Sequence, residues 1–376
     1  MTLAGLWLLR EWRHFIPSIL AVAFSCLLLV VQAALVLGIF GSAAVYVEGS
    51  DADLWVGQPD TQSVNFGQPI NADVEHYVRM DPNVAAVEPY LWVEGNWRAE
   101  PGAGAAISVF VSGIEPHAAG MMFAHLLNAR TREHLRTPGA VIIDRADQDA
   151  LGLHPGQRAW INGVPVFIAA SVTGLRALGG VNVLASLATA QMLRSDSADT
   201  RPTYLVARLH DPAAADATRS RLHSVPTFGP FEVWTAAHFS ALSQRYWLLD
   251  TGAGVAVLFM AVIVALVGAV VTGQALISVV SRAEKEYAVL VALGVSPWAL
   301  SRVVMVQSFW IGCVGIVLGA AGAAGLLALA HINDVPVAMA PAVALACAAL
   351  VMTLALSSGG IAVRGVLRAD PATLLR

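Results

Sequence analysis

Thr251-Gly-Ala-Gly-Val-Ala-Val-Leu-Phe-Met-Ala-Val-Ile-Val-Ala-Leu-Val-Gly-Ala-Val-Val-Thr-Gly-Gln-Ala-Leu-Ile-Ser-Val-Val-Ser281 contains no Asp, Glu, Lys or Arg. A helix crosses the hydrocarbon core of a bilayer with roughly 20 apolar residues, and this run exceeds that length. Three more uncharged apolar runs share the property, at residues 16–47, 303–330 and 335–363. Between the first and second runs lies a polar segment of a length that folds as a domain. The expected fold is therefore an α-helical membrane protein with four transmembrane helices. A large α+β extracytoplasmic domain is inserted between helices 1 and 2.

Composition agrees with membrane residence. Hydrophobic residues make up 57% of the chain and charged residues 13%, with a mean hydropathy of +0.65, against about 25% charged residues in soluble domains. The net charge of −4 offers no electrostatic footprint for nucleic acid. Basic residues next to the spans set orientation. Arg10 and Arg13 precede the first run, Arg282, Lys285 and Arg302 separate the second from the third, and Arg364, Arg368 and Arg376 follow the fourth. The turn at 331–334 carries no Lys or Arg. Both termini and the 282–302 loop are thus expected in the cytoplasm, and the large domain outside.

Seven boundaries follow. Residues 1–15 form a cytoplasmic amphipathic helix, 16–47 the first span, 48–245 the outer domain, and 246–281 a stalk with the second span. Residues 282–302 form a cytoplasmic loop, 303–330 and 335–363 the last two spans, and 364–376 a tail. The first run is far longer than the apolar core of a cleaved signal peptide, so it is expected to remain as an anchor. Cys26, Cys313 and Cys347 all fall within apolar runs, where a thiol behaves as a small hydrophobe. With no cysteine, the outer domain folds on its own core.

Within that domain, residues 107–114 and 204–209 have strand composition. Asn162-Gly163 separates two apolar stretches of residues 160–168, a hairpin signal, and Pro165 implies that the second arm is an edge strand or begins after it. Asp211-Pro212 opens one helix, and residues 71–79 form another. Each is followed by a turn and a strand (84–93 and 231–234), a weak sign of an internal repeat.

The loop Ser281-Arg-Ala-Glu-Lys-Glu-Tyr-Ala-Val-Leu-Val-Ala-Leu-Gly-Val-Ser-Pro-Trp298 places Tyr287, Leu290, Val291 and Gly294 at helical spacing. Gly294 suits a helix end, and Ser296-Pro297 a cap and first-turn proline for the next helix. Such a short amphipathic helix fits the groove of a soluble partner; the same face also suits a connector lying on lipid headgroups.

Residues 282–294 resemble the R-x-x-E-Y-x-x-L-x-A-L-G signature of the FtsX-like (MacB/DevC-type) permease family of ABC transporters, with one extra residue between Arg282 and Glu286. Asp370-Pro-Ala-Thr-Leu-Leu-Arg376 resembles the family's terminal D-P-A-x-x-L-R, and Leu6-Trp-Leu-Leu-Arg-Glu-Trp-Arg13 its amphipathic N-terminal helix. Asp53-Leu-Trp-Val-Gly57 and Tyr246-Trp-Leu-Leu-Asp-Thr-Gly252 are similar to the DevC-like branch. The resemblance implies a membrane permease subunit of an ATP-driven exporter or extractor that works by mechanotransmission. In a bacterial inner membrane, its implied partners are two cytoplasmic ABC ATPase subunits, a second permease copy as a homodimer or a related permease as a heterodimer, a periplasmic membrane-fusion adaptor and membrane lipids. Arg282, Glu284, Lys285, Glu286, Tyr287, Leu290, Leu293 and Gly294 become the ATPase-coupling residues. No G-x-x-x-x-G-K-[ST] loop occurs. The chain itself is therefore expected to be no enzyme and to hold no cofactor, with ATP and Mg bound by the partner ATPase. The apolar runs also lack the ionisable groups of ion-coupled pumps.

Ala261, Ala265 and Ala269 share one helical face, and Gly315 and Gly319 form a G-x-x-x-G; both sets are candidate helix-packing residues, although small residues are common in membrane helices generally. His117, His125, His134 and Glu133 fit no metal pattern, and Ser171 and Ser186 lack a G-x-S-x-G setting. Trp55, Trp92, Trp97 and Trp160 are read as core residues before cargo-facing ones. Two other functional classes stay open: a signalling subunit that activates an extracytoplasmic partner such as a cell-wall hydrolase without transport, and a membrane-anchored enzyme.

Overall fold

The computed structural model describes residues 12–102, 105–194, 196, 198–282 and 296–368. Its helices are α1 (Trp12–Gly41), α2 (Val45–Glu48), α3 (Val74–Arg79), α4 (Ala129–His134), α5 (Gln148–Leu151), α6 (Leu187–Leu193), α7 (Ala215–Arg221), α8 (Ala236–Arg245), α9 (Gly252–Arg282), α10 (Pro297–Ile332) and α11 (Pro341–Arg368). Among the described residues, four helical stretches are long and apolar enough to cross a membrane: Phe15–Glu48, Gly252–Ser278, Ser301–Ile332 and Pro341–Ile361. The chain divides into two compact units. One comprises Met1–Ile39 and Val255–Arg376, the other Phe40–Gly254. A large α/β domain thus lies in sequence between the first and second membrane helices.

In the helical unit, α10 starts where Ser296 caps it, its Oγ accepting from Ala299 N–H at 3.3 Å, with Pro297 in the first turn. The fourth apolar run begins at residue 335, yet α11 begins only at Pro341. Pro336 and Pro341 account for the difference, because a proline disfavours helix at the residue before it and suits a helix start. The non-helical residues between them lie along α1, where Ala338 N–H donates to Ala34 C=O at 3.1 Å. One buried cluster, including Phe15, Val22, Leu29, Leu276, Ile311, Ala323 and Val351, draws on all four membrane helices.

The intervening domain is built on β1 (Leu54–Gly57), β2 (Val84–Arg98), β3 (Ile107–Ile114), β4 (Ala140–Asp144), β5 (Arg158–Ile161), β6 (Val164–Val172), β7 (Val181–Ser186), β8 (Tyr204–Leu209) and β9 (Glu232–Thr235). Their order is β3-β7-β4-β6-β5-β2-β8-β1-β9, with an additional β3–β2 pairing. That last pairing closes a ring through β2, β3, β7, β4, β6 and β5. The long β2 belongs to both halves: residues 84–90 pair with β8, and residues 91–98 with β3 and, at the end, β5. Every residue of β4 is buried, as expected of a strand covered on both faces. Val141 and Ile143 enter one apolar cluster with Trp97, Val109 and Ile161, while Ile142 enters another with Trp55, Tyr90 and Phe123. A third cluster, with Leu54, Val74, Val78, Leu205, Leu222 and Val233, packs α3 and α7 on the β2-β8-β1-β9 part.

Asn162 (φ 51°) and Gly163 (φ 81°) make the tight turn between β5 and β6; a turn with positive φ at both central positions favours asparagine and glycine. The expectation that Pro165 marks an edge strand is corrected, since β6 is interior to the sheet. Its pairing with β4 starts only at Phe167, so Pro165 has β5 as its single neighbour. The missing N–H therefore breaks no ladder on the other side. The two helix-turn-strand units are present as α3–β2 and α7–β9. The first helix starts at Val74 rather than residue 71, because Asn71 forms a turn in which its Oδ1 accepts from Asp73 N–H at 3.1 Å.

Candidate functional site

Of the coupling residues read from sequence, Arg282 ends α9, and Glu284, Lys285, Glu286, Tyr287, Leu290, Leu293 and Gly294 lie outside the described residues. The terminal D-P-A-x-x-L-R and the start of the N-terminal helix lie there too.

The packing residues are described. Gly315 and Gly319 face α1 within the same chain. A Cβ built on Gly315 would lie 2.6 Å from Val22 Cγ1, and one on Gly319 would lie 2.5 Å from Ala23 O and 2.7 Å from Cys26 Cβ. Close helix approach at small residues is how membrane helices gain packing energy, because lipid tails are as apolar as the helices. Ala265 packs on the buried cluster, while Ala261 and Ala269 are half-buried. The groups of α9 that bond α1 belong to Gly268, Thr272 and Ala275. Ser25 Oγ donates to Gly268 C=O at 3.0 Å and accepts from Thr272 Oγ1 at 2.9 Å, and Ser18 Oγ donates to Ala275 C=O at 2.9 Å. Sequence reasoning missed these hydroxyls. Their signal was a Ser18/Ser25 spacing of two turns on an apolar helix. Each such bond adds about 0.6–2 kcal/mol within a bilayer. Between α10 and α11, Gly359 contacts Ser308 closely, and Gly312 faces Met352.

In the intervening domain, residues 53–57 and 246–252 are structural joints. Asp53 Oδ2 accepts from Leu209 N–H at 2.7 Å, and its carbonyl accepts from Ala236 N–H at 2.9 Å. The carboxylate thereby ties β1 to β8 at the point where α8 starts. Residues Tyr246–Asp250 form a π turn between α8 and α9. Trp55 is fully buried, edge-on to Tyr90 and Tyr204 at 5.7 and 5.5 Å. Trp97 is fully buried too, whereas Trp92 and Trp160 are half-buried, Trp92 lying 4.8 Å from Phe110.

Ionisable groups of this domain serve its loops. Glu88 is buried, accepts from Met121 N–H at 2.8 Å, and lies 3.2 Å from His117 Nε2. Burial raises its pKa, with the Met121 hydrogen bond and His117 acting in the opposite direction. Arg132, also buried, donates to the carbonyls of Glu115, Gly120 and Met122. It therefore pins the 115–122 loop that contributes Met121 and Met122 to the core. Asp199 is held down to about 2 by hydrogen bonds from Arg201. Ser186 Oγ caps α6 by accepting from Thr189 N–H at 3.2 Å. Among the described residues no group of three or more His, Cys, Asp or Glu side chains could hold a metal ion. A shallow cavity of about 350 Å³ between α3, β2 and α6 is lined by Ala72, Glu75, Leu91, Leu187, Gln191 and Pro202.

No curated protein matches the chain in sequence. The intervening domain is similar to the periplasmic region of MacB from Actinobacillus actinomycetemcomitans, with 11% identity, a TM-score of 0.36, and coverage of 51% of this chain and 92% of that one. It is also similar to the extracellular domain of the noncanonic ABC-type transporter YknZ from Gram-positive bacteria, with 12% identity, a TM-score of 0.34, and coverage of 49% and 100%. Residues 258–371, which run from α9 through α11, match the model of the family described as FtsX-like permease C-terminal. The match does not distinguish the DevC-like branch. In sequence, the C-terminal part of this chain is thus similar to the FtsX-like permeases.

Proposed function

We propose that the chain is the membrane subunit of an ATP-driven ABC exporter or extractor, powered by two copies of a separate cytoplasmic ATPase. The match of residues 258–371 to the FtsX-like permeases carries this reading. It is supported by four membrane helices and by the lack of a phosphate-binding loop in the sequence. The Arg/Lys asymmetry puts the intervening domain outside and the 282–302 loop at the cytoplasmic surface. The loop docks the ATPase, and nucleotide-driven closure passes through the helices to the outer domain, where cargo or a membrane-fusion adaptor is engaged.

Leu290→Asp and Glu286→Lys test the coupling. Anchor residues in such grooves cost about 2 kcal/mol or more when disrupted, which weakens docking more than tenfold. The expected result is a permease that inserts normally and no longer co-purifies with its ATPase or stimulates ATP hydrolysis. Wild-type ATPase binding and transport in both variants would make the loop an interfacial connector.

A further inference from the structure

The π turn Tyr246–Asp250 ends two residues before α9 begins, and Thr251 between them is extended (φ −101°, ψ 142°). Thr251 Oγ1 donates to Trp247 C=O at 2.6 Å and accepts from Gly254 N–H at 3.1 Å, so the turn and the first residues of α9 are tied together. Residues 246–249 are therefore three to six positions along the chain from the membrane helix. At about 1.5 Å per helical residue, that spacing places them within about 10 Å of its start, the scale of the bilayer's headgroup layer.

Phe66 joins this turn from far upstream in the sequence. Its ring lies 5.2 Å from that of Tyr246, edge to face, and 6.2 Å from that of Trp247, stacked. Trp247 Nε1 donates to Ser63 Oγ at 3.1 Å, which fixes the indole on the short helical turn carrying Phe66. Despite these contacts Phe66 remains 45% exposed, and Leu249 on the same π turn is 50% exposed. Among the described residues of the intervening domain, only Met80 and Met192 are other large apolar side chains exposed to that degree. Exposed Arg245 and Asp250 flank the patch. A mixture of Trp, Tyr and apolar rings framed by charges is the chemistry of a bilayer interface, where rings with one polar edge partition at headgroup level.

We propose that Phe66, Tyr246, Trp247 and Leu249 form a lipid-binding foot of the intervening domain, seated in the headgroup–acyl boundary of the leaflet in which α9 begins. Phe66 is the informative member, because no property of the α9 sequence calls for an aromatic residue at position 66. The foot gives the domain direct contact with leaflet lipid. The inference rests on α9 crossing a bilayer and is independent of ATPase coupling.

The full-length chain, with Cys26, Cys313 and Cys347 replaced, carries one cysteine at a time through Phe66→Cys, Leu249→Cys or Met80→Cys. Each is labelled with bimane, whose ring stands in for the lost side chain, and reconstituted in phosphatidylcholine nanodiscs doped with headgroup-nitroxide phosphatidylcholine. The expected result is loss of most bimane emission at 66 and 249 in the nitroxide discs, with emission at 80 unchanged. Aqueous iodide should quench the probe at 80 far more than the one at 66. Unquenched emission at 66 in nitroxide discs overturns the proposal, whether iodide reaches the probe, which leaves the patch in water, or fails to, which covers it with protein such as a second copy.

Discussion

Gly319→Val perturbs a close glycine-mediated approach between α1 and α10. The built Cβ lies 2.5 Å from Ala23 O and 2.7 Å from Cys26 Cβ, whereas carbon contacts settle at about 3.5–4.0 Å. The helices must therefore separate locally by about 1 Å, and Ala23 O, being backbone, has no rotamer through which to yield. Overpacking of this kind costs about 1–3 kcal/mol. Replacing an interior helical glycine returns less than about 1 kcal/mol of propensity, which leaves a net loss of about 1–2 kcal/mol, up to tenfold or more in the unfolding constant. Gly325 on the same helix is the control, because nothing lies within 4 Å of a Cβ built there. Reversible unfolding of the full chain by SDS in mixed micelles, followed by tryptophan fluorescence, measures both variants. Gly319→Val should unfold at lower SDS than wild type, while Gly325→Val stays level or rises. Equal midpoints for the two valine variants would refute the claim that Gly319 permits close helix approach.

Sidedness is checked with single cysteines at Gly102 and Ser296 in a Cys-free background: an impermeant thiol reagent added to spheroplasts should label Gly102→Cys only, and the reverse pattern would overturn the orientation. Native mass measurement in nanodiscs should find two permease copies with two ATPases; a monomer bound to one ATPase would contradict the proposed assembly. In the intervening domain, Arg221 donates to both oxygens of the almost fully buried Asp81 at 2.8 Å, and those hydrogen bonds lower the Asp81 pKa. A carboxylate with a lowered folded pKa contributes stability that is complete above its unfolded value of about 4 and lost as pH falls through the folded value. Arg221 is half exposed, so Arg221→Ala should lower the thermal unfolding temperature only modestly at pH 7, and the difference from wild type should vanish below that window. A difference that stays constant with pH would assign the loss to packing of the Arg221 stem.

Which parts of this molecule were readable in one dimension follows from the range of the forces involved. The four membrane helices, the Ser296-Pro297 cap, the Asn162-Gly163 turn and the family signature are local. Uninterrupted apolarity, a hydroxyl facing an N–H three residues away, and positive φ are each set by neighbours in sequence. The coupling segment was assigned on the same kind of local signal, helical periodicity and a motif, and lies outside the described residues apart from Arg282. Tertiary structure decided what depends on distant partners. Pro165 lies in an interior strand because β4 begins its pairing two residues later, and no local pattern encodes where a neighbouring strand starts. α11 is shorter at its start than the apolar run because two prolines block helix there, while that segment bonds to α1. The G-x-x-x-G announced a close approach, but only the fold showed that its partner is Val22, Ala23 and Cys26 of the same chain. Ser18 and Ser25 gained meaning once the carbonyls of Gly268 and Ala275 stood opposite them. Phe66 shows the limit most clearly: its contact with Tyr246 and Trp247 exists because chain closure brings together segments separated by most of a domain.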